Sequence, residues 1–308
     1  MLKPRALRSG DRIAVVAPAS AFSRDEFDRG IAELRTLGFE AVYDDSVFDR
    51  HWYVAGAAET RAKAIDTAWR DSSIAGVIAV RGGYGSGQLL PLLDKDAARA
   101  AAKPLIGYSD VTMLLTFLTL HCGVVAFHGP MLDRRLSRGE SGYARQSFLD
   151  ALCRAEPMGE LAPPSLETIR RGDASGVLLG GTVTNLLSSL GTPYAFDPPP
   201  GYVLFFDEVA ERPYRLDRMV LQLRQTGLLD RASAVVVGEL PRCDEPNGEP
   251  TARDVIADLL SEFHGPVVMG FPSGHTDGPS ITLPFGVSCR VVGDKQPRLI
   301  VEESAVTN

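Results

Sequence analysis

The stretch Lys103-Pro-Leu-Ile-Gly-Tyr-Ser-Asp-Val-Thr-Met-Leu-Leu115 decides how the chain is organised. It begins as a short apolar run typical of a buried parallel strand and ends in an apolar segment that predicts a buried helix. Ser109 lies between them, so we expect its hydroxyl to be exposed in a tight turn, with the following N–H groups able to stabilise an oxyanion. The pattern Gly107-x-Ser109-x-Val111 differs from the G-x-S-x-G of other nucleophile turns. A competing interpretation is that Ser109 or Asp110 simply caps the helix.

The composition argues against several classes of protein. Of 308 residues, 44% are hydrophobic and 23% charged, and the net charge is −7. Such a charge argues against broad nucleic-acid binding, which depends on clustered Lys and Arg. No stretch approaches the roughly 20 apolar residues of a membrane span, and no secretory segment precedes the first apolar run. Four cysteines without metal-ligand spacing favour free thiols in a cytoplasmic protein: Cys122, Cys153, Cys243 and Cys289.

The first half of the chain alternates between strand and helix patterns. The predicted strands are Arg12–Pro18, Phe39–Tyr43, Ala75–Arg81, Leu105–Ile106 and Val124–Pro130, and the predicted helices between them include Asp25–Gly38, Ala57–Trp69 and Gln88–Leu93. Repeated β-α units predict an α/β fold with a parallel sheet and helices on both faces. Ligands bind such sheets at the carboxyl ends of the strands. The turn Gly82–Gly85 and Ser109 both follow strands, so we expect them to share one crevice.

A proline-rich, charged segment in the middle of the chain predicts a domain boundary. We expect a first domain at residues 1–155, a linker at 156–172 and a second domain at 173–308. The second half mixes predicted strands (Gly176–Gly181, Gly201–Phe206, Ala234–Gly238, Pro266–Phe271) with predicted helices (Val183–Leu190, Tyr214–Thr226, Ala252–Phe263). Its end predicts two strands, Ile281–Val292 and Arg298–Glu302, joined through Gly293-Asp294.

A serine nucleophile needs a base, and the chain offers five histidines. His275 lies in the glycine-rich loop Pro272–Pro279 after a buried strand, where catalytic residues concentrate, although an ordinary turn histidine would also fit there. His128 follows a strand and could either line the crevice or be structural. The other three give weaker signals, from an apolar helix, a helix end and a loop: His121, His264 and His51.

Carboxylates that could orient a histidine stand at Asp207-Glu208, where an unbroken apolar strand ends. Neighbouring strand residues point to opposite faces, so only one of the two can face the crevice. The other is expected in solvent or paired with a nearby arginine: Arg212, Arg215 or Arg218. The turn beginning at Arg81 could cradle a phosphate, but it lacks the G-x-G-x-x-G spacing. An N–H donated from Gly83 to a substrate carbonyl is the sharper interpretation.

Several separate stretches resemble the LD-carboxypeptidase family of serine peptidases, which includes muropeptide L,D-carboxypeptidases and microcin C self-immunity peptidases. They occur in the same order along nearly the whole chain: Arg81-Gly-Gly-Tyr-Gly with Leu92-Leu-Asp94, Gly107-Tyr-Ser-Asp110, His128-Gly-Pro130, Gly180-Gly181 with Gly191-Thr-Pro-Tyr194, Glu211-x-Pro-Tyr-Arg-x-Asp-Arg218, and Gly274-His-Thr-Asp-Gly278 with Leu283-Pro-Phe-Gly286. The resemblance implies a Rossmann-like N-terminal domain carrying the nucleophile and a smaller β/α C-terminal domain carrying the acid and the histidine.

Carried across position by position, the resemblance implies that Ser109 is the nucleophile and His275 the base, with the N–H groups of Gly83 and Asp110 as the oxyanion hole. The family usually has Glu followed by Asp after the apolar strand, whereas this chain has Asp207 and then Glu208. Either Asp207 is the acid, or a local shift brings Glu208 inward. The expected substrate contacts are Arg81, Gly82, Tyr84 and Thr182, the last standing where many members have Asn.

The resemblance implies a peptidase that releases a terminal D-amino acid from a muropeptide, acting as a homodimer without a metal or organic cofactor. One alternative is an immunity peptidase that cleaves an aminoacyl-nucleotide. The two tryptophans weigh against it, because Trp52 and Trp69 lie far along the chain from the expected site. Another alternative is a non-catalytic nucleotide-binding module, since one fold supports many functions.

Overall fold

The structure, a computed structural model, describes all residues from 1 to 308. Its strands are β1 (Arg12–Val16), β2 (Glu40–Val42), β3 (Ile74–Ala79), β4 (Leu105–Gly107), β5 (Ala126–His128), β6 (Gly159–Leu161), β7 (Glu167–Arg170), β8 (Gly172–Thr182), β9 (Tyr202–Asp207), β10 (Ala232–Gly238), β11 (Val267–Phe271), β12 (Leu283–Phe285), β13 (Ser288–Gly293) and β14 (Arg298–Val301). Its α-helices are α1 (Arg24–Thr36), α2 (Ala58–Arg70), α3 (Lys95–Ala101), α4 (Thr112–Thr116), α5 (Arg145–Cys153), α6 (Val183–Ser188), α7 (Pro213–Gln225), α8 (Leu228–Arg231) and α9 (Ala252–Leu260).

The first sheet has the strand order β2-β1-β3-β4-β5-β12. The first five of these strands are parallel, and only β12 is antiparallel. Helices such as α1 form because apolar residues recur every three or four positions: Phe27, Ile31 and Leu34 are all buried. Gly38, with a φ of +92°, then ends the helical segment. The predicted α/β fold is confirmed.

The second sheet has eight strands in the order β6-β14-β13-β8-β9-β10-β11-β7. Its centre, from β8 to β11, is parallel, and the outer strands pair antiparallel to their neighbours. Every residue of β9 is buried, which explains why its sequence is continuously apolar until Asp207. The segment 156–172 carries β6 and β7 at opposite edges of this sheet. The domain boundaries themselves stay a prediction.

The predicted strand Ile281–Val292 is wrong in one respect, because the structure divides it between the two sheets. Its first part, β12, pairs with β5, whereas its second part, β13, pairs with β8. Gly286 lies between them with a φ of +99°, a left-handed conformation that interrupts a strand and that glycine adopts readily. Pro284 is tolerated in β12 because that strand is at the edge of the sheet.

The two sheets share one continuous apolar core. Buried side chains of the first sheet, including Val77 and Leu105, belong to the same cluster as Phe205 and Val236 of the second. This packing holds the carboxyl end of β4 beside the end of β8, where Thr182 N donates to Thr112 Oγ1 at 3.0 Å. None of the helices is long and apolar enough to cross a membrane.

Candidate active site

The chain turns sharply at Ser109, directly after β4. Ser109 has a φ of +62°, a left-handed conformation that costs a residue with a side chain about 1–2 kcal/mol. Strain of this kind is retained mainly at functional sites. Neither Ser109 nor Asp110 caps the following helix with its side chain, so the helix-cap interpretation does not account for this turn. Asp110 Oδ2 instead accepts a hydrogen bond of 2.7 Å from Ser86 N.

The glycine turn after β3 packs directly against Ser109. A Cβ added at Gly82 would lie 2.7 Å from Ser109 Cβ and 3.0 Å from its Oγ, so only glycine permits this approach. Gly83 has a φ of +101°, and its N–H makes no hydrogen bond within the chain. Ser20 holds the turn, since its N donates to Gly82 O at 3.1 Å and its Oγ accepts from Tyr84 N at 3.1 Å. The predicted neighbourhood of Gly82, Gly83 and Ser109 is present.

Asp207, which is buried, and His275, which is partly exposed, form a hydrogen-bonded pair on the second domain. Asp207 Oδ2 accepts from His275 Nδ1 at 2.9 Å and from His275 N at 2.7 Å. Burial alone would raise the pKa of Asp207, but the imidazole charge and these hydrogen bonds lower the pKa to about 2. The carboxylate is therefore ionised near neutral pH and can only accept, so Nδ1 carries a proton, and in the neutral imidazole Nε2 is the acceptor. Tyr108 packs edge-on against the imidazole with 5.2 Å between ring centroids, which places His275 at the Ser109 turn.

Glu208 points away from His275. It is buried rather than in solvent, and it pairs with none of the arginines that the sequence suggested. Its Oε2 accepts from Thr184 Oγ1 at 2.6 Å and from Thr184 N at 3.1 Å, at the start of α6. Burial raises the pKa of Glu208. Because adjacent strand residues face opposite sides, the geometry gives Asp207 the position beside the histidine.

Thr182 is placed differently from the prediction of a substrate contact. Its side chain is buried, and Thr182 Oγ1 donates to Asp207 Oδ1 at 2.7 Å. Both oxygens of the carboxylate are thus bonded, one to the histidine and one to this threonine. The hydroxyl therefore orients the acid, while its own hydrogen is not available to a substrate.

Arg135 is a site residue that the sequence analysis missed. Its guanidinium donates to carbonyl oxygens on both sides of the histidine, Gly274 at 2.7 Å and Thr276 at 2.9 Å. It also donates to Gly142 O at 3.2 Å, Gly278 O at 3.1 Å and Tyr108 Oη at 3.3 Å. All five N–H donors are used, so Arg135 fixes the loop that carries His275. Its position after β5, at the carboxyl edge of the sheet, was the available signal.

His128 is close to the pair but does not reach a substrate. It is completely buried, and Ser273 Oγ lies 3.0 Å from its Nδ1. Because Ser273 Oγ already donates to Ile281 O at 2.8 Å, His128 Nδ1 must donate to Ser273. Burial lowers the pKa of His128 to about 4, so the ring is neutral near pH 7. This geometry favours a structural role over that of a crevice histidine.

Arg81 and Tyr84 differ in how available they are to a ligand. Arg81 Nη1 lies 3.2 Å from Oδ2 of the buried Asp133, whose pKa is raised by that burial. Tyr84 is exposed and packs edge-on against Tyr53, with 5.3 Å between ring centroids. Tyr53 in turn lies beside the exposed Trp52, at 6.2 Å. Trp52 thus belongs to the same exposed aromatic cluster as Tyr84, although the two residues are far apart along the chain.

Family models match both halves of the chain. Residues 13–129 match the LD-carboxypeptidase N-terminal domain, and residues 175–291 match the LD-carboxypeptidase C-terminal domain. The chain belongs to the LD-carboxypeptidase family. This member is 34% identical to a protein of Streptomyces coelicolor named as a carboxypeptidase, over 96% of this chain and 94% of the relative. It is 29% identical to the murein tetrapeptide carboxypeptidase of Pseudomonas aeruginosa, over 92% and 94%.

Solved structures of two relatives superpose over almost all of this LD-carboxypeptidase family member. Muramoyltetrapeptide carboxypeptidase from Oxalobacter formigenes matches with a TM-score of 0.85 and 30% identity, covering 96% of this chain and 100% of the other. The microcin C7 self-immunity protein of Escherichia coli matches with a TM-score of 0.92 and 24% identity over 100% of both chains, and this second likeness concerns the fold alone.

Proposed function

We propose that this chain is a serine carboxypeptidase that hydrolyses the L,D-peptide bond before the terminal D-amino acid of a murein tetrapeptide. The observation that carries the proposal is the strained turn at Ser109, which Tyr108 connects to the Asp207–His275 pair by packing on the imidazole. Relatives named as murein and muramoyl tetrapeptide carboxypeptidases support the choice of substrate.

The geometry supports a nucleophilic mechanism. Ser109 Oγ attacks the scissile carbonyl, and His275 Nε2 takes its proton because Nδ1 is engaged by Asp207. The N–H groups of Gly83 and Asp110 would hold the oxyanion. His275 then gives the proton to the leaving amine, and water hydrolyses the acyl-enzyme by the same route. Ser109 and His275 are not hydrogen-bonded in this structure, and such bonds commonly tighten only once substrate is bound.

The experiment is release of D-alanine from a purified murein tetrapeptide, followed for the full chain and for Ser109→Ala and His275→Ala. Each variant should lose on the order of 10³-fold or more in kcat, and the double variant should be little worse than either single one. Circular dichroism should show that both remain folded. Full activity of Ser109→Ala would refute the proposal, as would the absence of any D-alanine release by the unaltered chain.

A second candidate function is cleavage of an aminoacyl-nucleotide, favoured by one observation. Trp52, Tyr53 and Tyr84 form an exposed aromatic surface next to the glycine turn, and such a surface can stack against a flat base. The same enzyme preparation, assayed on an aspartyl sulfamoyl adenosine and on the tetrapeptide, would separate the two. Faster cleavage of the nucleotide would favour this candidate.

Two further properties remain proposals. All four cysteines are free and three are buried, which supports a reducing, cytoplasmic compartment. The homodimer is implied by the family resemblance and stays a prediction.

A further inference from the structure

A cleft of about 190 Å³ opens beside His275, and four of its ten lining residues are arginines. Its walls come from the turn after β5, which carries Arg134, Arg135 and Arg138, from Arg242 after β10, and from the loop His275–Asp277. Tyr108, the residue before Ser109, also lines it. The cleft is therefore continuous with the candidate active site.

Three of the four arginines have no partner within the chain. Arg135 uses all its donors on oxygens of the protein, as described above, and builds the wall. The guanidinium groups of Arg134, Arg138 and Arg242 are exposed and make neither a hydrogen bond nor an ion pair, whereas most other arginines are paired. The only acid lining the cleft is Asp277. An excess of positive charge is thus concentrated here in a chain whose net charge is −7.

Two of these arginines have an unusual backbone conformation, which is often retained at functional sites. Arg134 has a φ of +62° and Arg242 a φ of +60°, and both values lie in the left-handed region that a residue with a side chain seldom adopts. Glu26 is close to Arg134, but it accepts the backbone N–H of Arg134 at 2.9 Å rather than its guanidinium. The turn is therefore fixed while the charged group remains available.

The proposed reaction indicates which part of the substrate would lie in this cleft. His275 protonates the leaving nitrogen, so the leaving residue lies on the His275 side of the scissile bond. In a terminal residue the free carboxylate is only two bonds from that nitrogen, or roughly 2.5 Å away. The cleft, with a volume of about 190 Å³ beside His275, is therefore where the carboxylate of a single leaving residue would lie.

We propose that Arg134, Arg138 and Arg242 bind the free carboxylate of the leaving D-amino acid, and that this cleft restricts the enzyme to terminal residues. The inference rests on the proposed carboxypeptidase function and names its specificity site. Guanidinium groups suit this task because their N–H donors match the two oxygens of a carboxylate. Because these groups act on binding and not on the bond that breaks, their loss should appear mainly in KM.

The test compares two tetrapeptides that differ only at the C-terminus, one ending in D-alanine and the other in D-alanine carboxamide. The other carboxylates are present in both peptides, so their effect on binding is the same and does not contribute to the difference. The unaltered chain should prefer the free acid by roughly 10²-fold in kcat/KM, since a charge-assisted hydrogen bond contributes about 1.5–3 kcal/mol. The double variant Arg138→Gln/Arg242→Gln should lose most of that preference through a higher KM for the acid, with a much smaller effect on cleavage of the carboxamide.

The matched control is Arg171→Gln, which removes an exposed and unpaired arginine outside the cleft and should retain the preference. A second variant, Arg138→Lys/Arg242→Lys, keeps the charge and should retain a substantial part of the preference. If the Gln double variant is folded by thermal melting and still prefers the acid as strongly as the unaltered chain, the inference is wrong. Equal cleavage of both peptides by the unaltered chain would also overturn it while leaving the proposed function intact. Cleavage of neither would instead refute the proposed function.

Discussion

Replacing Asp207 by Asn removes the negative charge of the acid and keeps the shape of its side chain. Because the backbone N–H of His275 lies 2.7 Å from Oδ2, an acceptor is required at that atom. The amide oxygen should therefore turn toward His275, and the amide nitrogen toward Thr182, whose hydroxyl can rotate to accept. His275 should keep its orientation and tautomer, and only the negative charge beside the imidazolium is lost.

The size of the effect follows from that distance. A unit charge 2.9 Å from the imidazolium nitrogen interacts by about 5–6 kcal/mol at an effective dielectric constant near 20. The amide oxygen still accepts the hydrogen bond and recovers part of this energy, so we expect a net loss of about 3–4 kcal/mol in the transition state. That loss corresponds to roughly 10²–10³-fold in kcat with little change in KM.

The assay is D-alanine release under saturating substrate, with Glu208→Gln as the matched control. Glu208 contacts Thr184 and not His275, so its amide variant should keep activity within a few-fold. Its stability should fall by about 1–2 kcal/mol, because the amide NH2 group would then face the N–H of either Thr184 or Val209. Activity of Asp207→Asn within tenfold of the unaltered chain would show that the charge is not needed. Inactivity of Glu208→Gln with an active Asp207→Asn would give the acid role to Glu208.

Two further predictions concern residues around the pair. The pKa of His128 is about 4 in the folded chain and about 6.5 in the unfolded one, so burial of the neutral ring contributes stability that is complete above pH 6.5 and is lost as the pH falls toward 4. In urea unfolding, the free energy of unfolding should fall by roughly 2–3 kcal/mol by pH 4.5, and this loss should be missing from His128→Asn. Identical pH profiles of the two proteins would contradict this prediction. Arg135→Lys supplies fewer hydrogen-bond donors to the loop that carries His275, so kcat should fall roughly 10–100-fold with little change in KM. Arg135→Ala should have a lower kcat and a lower stability than Arg135→Lys. An unchanged kcat in Arg135→Lys would show that Arg135 does not position His275.

The positions of Ser109, Asp207 and His275 could be predicted because each lies at the end of a buried strand or shortly after it. A buried strand is recognisable in the sequence as an apolar run, and ligands bind at the edge of the sheet where the carboxyl ends of such strands lie. Alternation of strand residues also favoured one acid over its neighbour, and the structure places Asp207 beside His275. The sequence therefore predicts the order of the strands and helices and the edge of the sheet at which the site lies.

Other features could not be predicted because they depend on contacts between distant segments. Four of the five hydrogen-bond partners of Arg135 are backbone oxygens, of residues 142, 274, 276 and 278, and a carbonyl has no sequence signature. Glu208 is buried because the start of α6 supplies N–H and hydroxyl donors, which the strand itself does not reveal. Tyr53 and its neighbour Trp52 cluster with Tyr84 because Val54 pairs with Ser20, and Ser20 holds the glycine turn.

The loop that carries His275 is held from both domains at once, and this has a consequence for the activity. Arg135 and His128 reach it from the first sheet, through Gly274 O and Ser273 Oγ. From the second sheet, Asp207 bonds His275 itself, and Glu239 accepts from Asp277 N at 3.1 Å. Neither half of the chain alone supplies all the groups that orient the imidazole. The catalytic geometry therefore depends on the shared core between the sheets, and any change that loosens that core should lower kcat before it unfolds either domain.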